Sequence, residues 1–240
     1  MTSTIMKSTV KPPLGIVGGL GPLASAEFLK TIYEYSLGER EQDSPIVMYS
    51  DPTVPDRTEE LLNQGEGVLL ECLIRALKQL TDLGASKVII CCITIHHVLP
   101  DLPIEYRDRV ISLLDVIFNA LSRERKRHLL ICTLGTRKLQ IFERHPMWRE
   151  LNQYVVLPDE RDQELIHYGL IYQAKKNGNL HELVSTLKAL LRKYEVDSFI
   201  AGCTEIHLLT KQIFAPGSRQ NYDCIDPLIV LAESLAQEVA

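Results

Sequence analysis

The chain has 240 residues, of which 45% are hydrophobic and 24% charged, and a formal net charge of −5. Such values describe an ordinary globular protein, long enough for one large domain or two of about 110 residues. The acidic balance argues against a general nucleic-acid binder, no apolar run approaches the ~20 residues of a membrane span, and the first residues lack the apolar stretch of a secretory signal. No nucleic-acid or membrane partner is therefore expected. The expected location is the cytoplasm, where the six cysteines would be free thiols.

Residues 1–11 read as a flexible tail. An apolar run at 14–17 predicts the first strand, and Gly18-Gly19-Leu20-Gly21-Pro22 then turns the chain into a helix with Pro22 in its first turn. This loop lacks the spacing of nucleotide-binding loops. It reads either as a tight turn or, around Gly19, as a cradle of backbone N–H groups for a carboxylate. A second strand is predicted at 46–49. Asp51 to Arg57 is a stiff, proline-containing loop in which Asp56 and Glu59 can cap a short helix. Arg57 then stands at a helix start, where a cation is unfavourable unless it holds an anion such as a carboxylate. Leu69, Leu73, Ala76, Leu77 and Leu80 form one stripe of a helix over 67–83, wide enough for the core and for a dimer interface.

Further strands are predicted at 88–92, 129–132 and 199–201, with weaker ones at 110–113 and 154–157. The basic run at 123–127 reads as a solvated helix end. Helices are predicted at 159–176, stopping at Asn177-Gly178, and at 180–194. Lys176 falls at a helix C-terminus, where dipole stabilisation is the plainest role for it. The strand runs do not alternate apolar with polar. They therefore imply an α/β fold with mainly parallel sheets flanked by helices.

The chain also repeats itself. Leu14 to Gly21 resembles Leu130 to Gly135, and Val88-Ile-Ile-Cys-Cys-Ile-Thr-Ile-His96 resembles Phe199-Ile-Ala-Gly-Cys-Thr-Glu-Ile-His207. The two matches lie at nearly equal intervals. Two similar lobes are expected. One spans 12–116 plus 222–240 and carries Cys92; the other spans 117–221 and carries Cys203. The site should lie in the cleft between them, at the carboxyl ends of the strands.

Cys92 and Cys203 each sit where a strand meets a turn, with Thr94 and Thr204 placed to cap the next helix. Two facing thiols suit racemisation, in which one removes the α-proton and the other protonates the opposite face. An ordinary thiol is only about 3% thiolate at pH 7, a cost of roughly 2 kcal/mol, so the carbanion must be stabilised by fixed donors and cations. The Cys-x-x-x-His pairs, Cys92/His96 and Cys203/His207, also permit a zinc reading. It is the weaker one, because structural zinc sites favour Cys-x-x-Cys or His-x-x-x-His. No metal is expected, and His96 and His207 are expected to pack or hydrogen-bond behind the thiols.

Together these residues resemble the pyridoxal-phosphate-independent aspartate/glutamate racemases, from Gly15 to about Asp226. The match comprises the G-G-x-G-P loop (Gly18 to Pro22), the P-D-R-T loop (Pro55 to Thr58), a partial C-N-T-x-H turn (Cys92 to His96), the G-C-T-E turn (Gly202 to Glu205) and Y-x-x-x-K-x-G (Tyr172 to Gly178). The resemblance implies a cofactor-independent racemase acting on a small acidic amino acid and nearest the aspartate branch; a homodimer is expected. It implies Cys92 and Cys203 as acid and base, with Arg57 and Lys176 on the side-chain carboxylate. Thr94, Thr136 and Thr204 would bind the α-carboxylate or nearby groups, and Gly19 and Glu205 complete the substrate contacts. It departs at Ile93, where relatives carry an Asn expected to touch substrate. That change points to a specialised racemase, for instance one supplying D-aspartate or a methylated relative to a peptide natural product such as microcystin. The alternatives are an isomerase or decarboxylase of a small dicarboxylate, or an inactive amino-acid-binding homologue.

Overall fold

The computed structural model describes residues 11–36, 45–215 and 222–239; nearly all of the expected N-terminal tail lies outside the described residues. Two four-stranded parallel sheets form the frame. The first contains β1 (Leu14–Gly18), β2 (Ile46–Ser50), β3 (Lys87–Ile90) and β4 (Val110–Ile111), in the order β2-β1-β3-β4. The second contains β5 (His128–Cys132), β6 (Val155–Val156), β7 (Ser198–Gly202) and β8 (Asp223–Ile225), in the order β6-β5-β7-β8. The repeat in the sequence is thus a repeat of topology. In each sheet the chain runs outward on one side of the first strand and returns on the other. The reversal point lies between β1 and β3, and again between β5 and β7. Open parallel sheets bind ligands outside the carboxyl ends of the strands at such a point.

The alternation of strand side chains divides the apolar residues between two faces. Ile16, Ile89, Leu130 and Ile200 face a central core with Phe28, Ile117, Phe118, Leu121 and Leu228. This core belongs to both sheets, so the lobes are not independent bodies. The outer face of the first sheet is covered by helix Glu66–Asp82, whose Leu69, Leu73, Leu77 and Leu80 are all buried within the chain. That stripe is spent on the core; only Val68 and Leu83 stand out from this region. The outer face of the second sheet is covered by Leu170, Leu187, Leu191 and Leu209.

One expectation needs correction. Strand β8 pairs with β7, with Phe199 opposite Cys224, so residues 223–225 belong to the second sheet. The chain returns to the first lobe only with helix Pro227–Val239, which packs on helix Pro22–Ser36. Asp-Cys-Ile is too short and too mixed to announce a strand by pattern. Ile93, where relatives carry Asn, is 1% exposed and packs in the central core. An apolar side chain at this position is drawn to the core, so it offers no substrate contact.

Candidate active site

Cys92 follows β3, and a 3-10 helix, Thr94–Asp101, begins two residues later. His96 fixes this turn from behind. The Leu113 N–H donates to His96 Nε2 at 3.0 Å, so that nitrogen carries no proton. Nδ1 therefore carries it and donates to the Cys92 carbonyl at 2.9 Å. Burial holds the His96 pKa down at about 4, so the ring stays neutral. Cys203 follows β7 in the matching place, before helix Ile206–Ile213. His207 lies behind it, with Nδ1 2.9 Å from Asp226 and Nε2 2.9 Å from Thr31. Both nitrogens of each ring are thus engaged away from the thiols, in the supporting role expected of them. The Thr204 hydroxyl crosses between the sheets and donates to the Cys91 carbonyl at 3.1 Å.

The two thiols are enclosed together. Cys92 is 9% exposed and Cys203 5%, and Cys92 is among the groups that act on Cys203. The Cys203 thiol donates to Glu205 Oε2 at 2.8 Å. Burial first, and then the Glu205 carboxylate, push this thiol well above the ordinary range, with Lys175 opposing.

Arg57 is buried at the start of helix Arg57–Leu62. Its guanidinium donates to the carbonyls of Pro55 at 2.8 Å, Val54 at 3.2 Å and Leu20, and Nε has no partner among the described residues. Burial alone would lower its pKa, but neighbouring Cys92, Asp56 and Glu205 outweigh burial and raise it. Asp56 caps the helix by accepting from the Thr58 and Glu59 amides and pairs with Lys175 Nζ at 3.2 Å. Burial opposes its charge, yet Lys175, the Tyr172 hydroxyl and the Glu59 amide hold it at about 2. Lys175 is itself raised: burial works against it, and Glu205, Cys203 and Asp56 prevail.

Three hydroxyls join the lobes. Thr94 Oγ1 lies 3.0 Å from both Thr133 Oγ1 and Thr136 Oγ1, which are 3.0 Å from each other. Gly19 has φ +82, and a Cβ there would meet the Asp51 backbone at 2.4 Å, so only glycine fits. Its N–H donates to Ser25 Oγ at 3.3 Å, which favours the tight-turn reading over the carboxylate cradle.

Of the residues expected at the site, Cys92, Cys203, Arg57, Thr94, Thr136, Thr204 and Glu205 are buried around this cleft. Lys176 is not among them. It is exposed at the helix end, and its neighbour Lys175 is the lysine that enters the charge cluster. The sequence pattern also fails to mark Thr133 and His167 as members of the cleft. Thr133 could have been found as an N-cap, since its hydroxyl accepts from the Thr136 amide. His167 accepts from the Leu134 N–H, and its ring lies tilted against that of Tyr172 with centroids 4.4 Å apart; nothing in its local pattern marks it.

The frame of two parallel sheets has known counterparts. The aspartate racemase of Picrophilus torridus matches this structure with a TM-score of 0.79 and 24% identity, over 94% of each chain. An aspartate racemase homologue from Pyrococcus horikoshii OT3 gives 0.68 and 19%, over 95% of this chain and 98% of that one. The glutamate racemase of Francisella tularensis subsp. tularensis SCHU S4 gives 0.61 and 18%, over 95% and 80%. At such identities the likeness is one of fold. An uncharacterized protein from the pnlA 3′ region of Pectobacterium carotovorum subsp. carotovorum is 27% identical over 133 residues, 54% of this chain and 86% of that protein. The model of the Asp/Glu/hydantoin racemase family matches residues 17–235, nearly the whole chain, and the protein is a member of that family.

Proposed function

We propose that the protein interconverts the enantiomers of a small acidic amino acid, aspartate or a close relative, by two-base proton transfer between Cys92 and Cys203. The observation that carries this reading is the pair of equivalent strand–Cys–Thr turns, one from each sheet, enclosed in one charged cleft. One cysteine enters as thiolate and takes the α-proton, leaving a carbanion. The other gives its thiol proton to the opposite face and becomes the thiolate. By family resemblance Cys203 is the base for the L-isomer and Cys92 for the D-isomer. No cofactor takes part in this scheme.

The cations favour a substrate with two carboxylates. Arg57 is buried and Lys175 half-buried, so their charges are felt strongly in the site. The threonine hydroxyls of Thr94, Thr133 and Thr136 suit the α-carboxylate. A homodimer of this chain in the cytoplasm is part of the same reading. Incubation in deuterium oxide with L-aspartate, D-aspartate or L-alanine tests it. Expected are α-deuterium in aspartate and formation of its mirror isomer, with little reaction of alanine. Release of carbon dioxide, or no exchange into any acidic amino acid, would overturn the proposal.

A further inference from the structure

The two thiols do not have equivalent surroundings. Cys203 has a carboxylate at hydrogen-bond distance, 2.8 Å, in its own turn. Cys92 has a guanidinium beside it, that of Arg57. Resting on the racemase reading above, we propose that Glu205 is a positioning residue that keeps a proton on Cys203. The resting enzyme then meets substrate with Cys203 as proton donor and Cys92 as acceptor.

The geometry around Glu205 fits this role. The residue is 3% exposed, and a buried carboxylate needs donors. The Cys203 thiol is one. The other oxygen, Oε1, lies against the glycine loop of the first lobe, where a Cβ on Gly21 would come within 2.1 Å of it. The absent side chain at Gly21 is what leaves room for the carboxylate. The charged and titratable groups facing Cys203 are Glu205 in its own turn, Lys175 from helix Tyr172–Lys175, and Cys92 from the opposite sheet. Glu205 also acts on Arg57 and Lys175 and raises both, so its nearest cationic neighbours come from other elements. A thiolate on Cys203 would stand directly against the carboxylate. Burial and Glu205 accordingly raise this thiol, with only Lys175 pulling the other way.

The consequence is a handed resting state. In one direction Cys92 takes the α-proton and Cys203 delivers its own to the opposite face. This leaves a Cys203 thiolate beside Glu205 and a proton on Cys92. The proton must pass back to Cys203 by way of solvent before the next turnover in that direction. The opposite enantiomer needs the form with Cys203 as thiolate, which is the minor one, so its apparent affinity falls by the minor fraction. Racemisation has an equilibrium constant of unity, so kcat/KM is the same in both directions. The bias must then appear as a higher KM and a proportionally higher kcat for the enantiomer that uses Cys203 as base.

The test is the pH dependence of iodoacetamide alkylation in substrate-free enzyme, followed at Cys92 and Cys203 by peptide mass spectrometry, for the wild type, Glu205→Gln and Glu205→Asp. Removing the charge in Glu205→Gln should lower the alkylation midpoint of Cys203 by about one to three pH units and move that of Cys92 less. Glu205→Asp, which keeps the charge, should retain most of the elevation. In turnover, the KM ratio of the two enantiomers should move toward one in Glu205→Gln, with the kcat ratio following it. Should Glu205→Gln fail to fold, Gly21→Ala serves instead, because its methyl displaces the carboxylate and should lower the Cys203 midpoint likewise. An unchanged Cys203 midpoint, or equal movement of both cysteines, overturns the proposal. A shifted midpoint in an enzyme that racemises nothing would support the role of Glu205 and refute the proposed function.

Discussion

Lys175 and Lys176 are adjacent and chemically identical, yet only Lys175 pairs with Asp56 and faces Cys203 and Glu205. Lys175→Ala should therefore lower kcat/KM for aspartate by about 2–4 kcal/mol of transition-state stabilisation, because a buried carboxylate loses its partner. Lys176→Ala should change it by less than about 0.5 kcal/mol, as exposed substitutions usually do. Steady-state kinetics of the two variants decides the matter, and greater damage from Lys176→Ala would contradict the assignment. The cysteines are legible in the sequence because each sits in a repeated strand–turn phrase that no packing requirement would duplicate. Arg57 is legible because a cation at a helix start runs against the dipole. Ile93 is not, because side-chain direction at a turn cannot be taken from its neighbours. Its burial among Phe28, Leu113 and Ile117 shows the hydrophobic side chain following the core rather than the cleft.

Lys176 is singled out by a family motif, Tyr172 to Gly178, and falls at the helix C-cap, whereas Lys175 is the last helical residue. The segment from Glu160 to Lys175 is not a uniform α-helix; Leu165–Ile171 is a π-helix. Each π-turn inserts one extra residue, so the faces downstream rotate by about 100° relative to regular counting. The seven strands predicted from apolar runs all appear, because strands buried on both faces leave a continuous signal. Strand β8 escapes because three residues with an exposed Asp223 leave none. At Gly19 the sequence offers a turn and a cradle equally. The positive φ, the Asp51 backbone close by and the Ser25 hydroxyl on its N–H show why a glycine stands there without any ligand.

The whole molecule responds to acid through groups that resist protonation. Burial holds His96, His128 and His167 at about 4, well below a free imidazole. Between pH 6.5 and 4 the unfolded chain binds protons that the folded chain refuses, so stability is lost as pH falls through that window, by at most about 1.4 kcal/mol per unit for each group. Below pH 4 the Asp56 carboxylate, held at about 2 by Lys175 and its hydrogen bonds, adds a second loss. Thermal unfolding should show a lower midpoint at pH 5 than at pH 7, and an unchanged midpoint would contradict this. The same shared core that couples the lobes in stability also fixes one thiol on each side of a single cleft. Proton NMR in deuterium oxide on Cys92→Ser and Cys203→Ser, each with pure L- and D-aspartate, tests that pairing of thiols most directly. Both variants should lose net racemisation. Cys92→Ser should still exchange the α-proton of L-aspartate with retention, and Cys203→Ser that of D-aspartate. Near wild-type racemisation by either single variant would contradict the two-base mechanism.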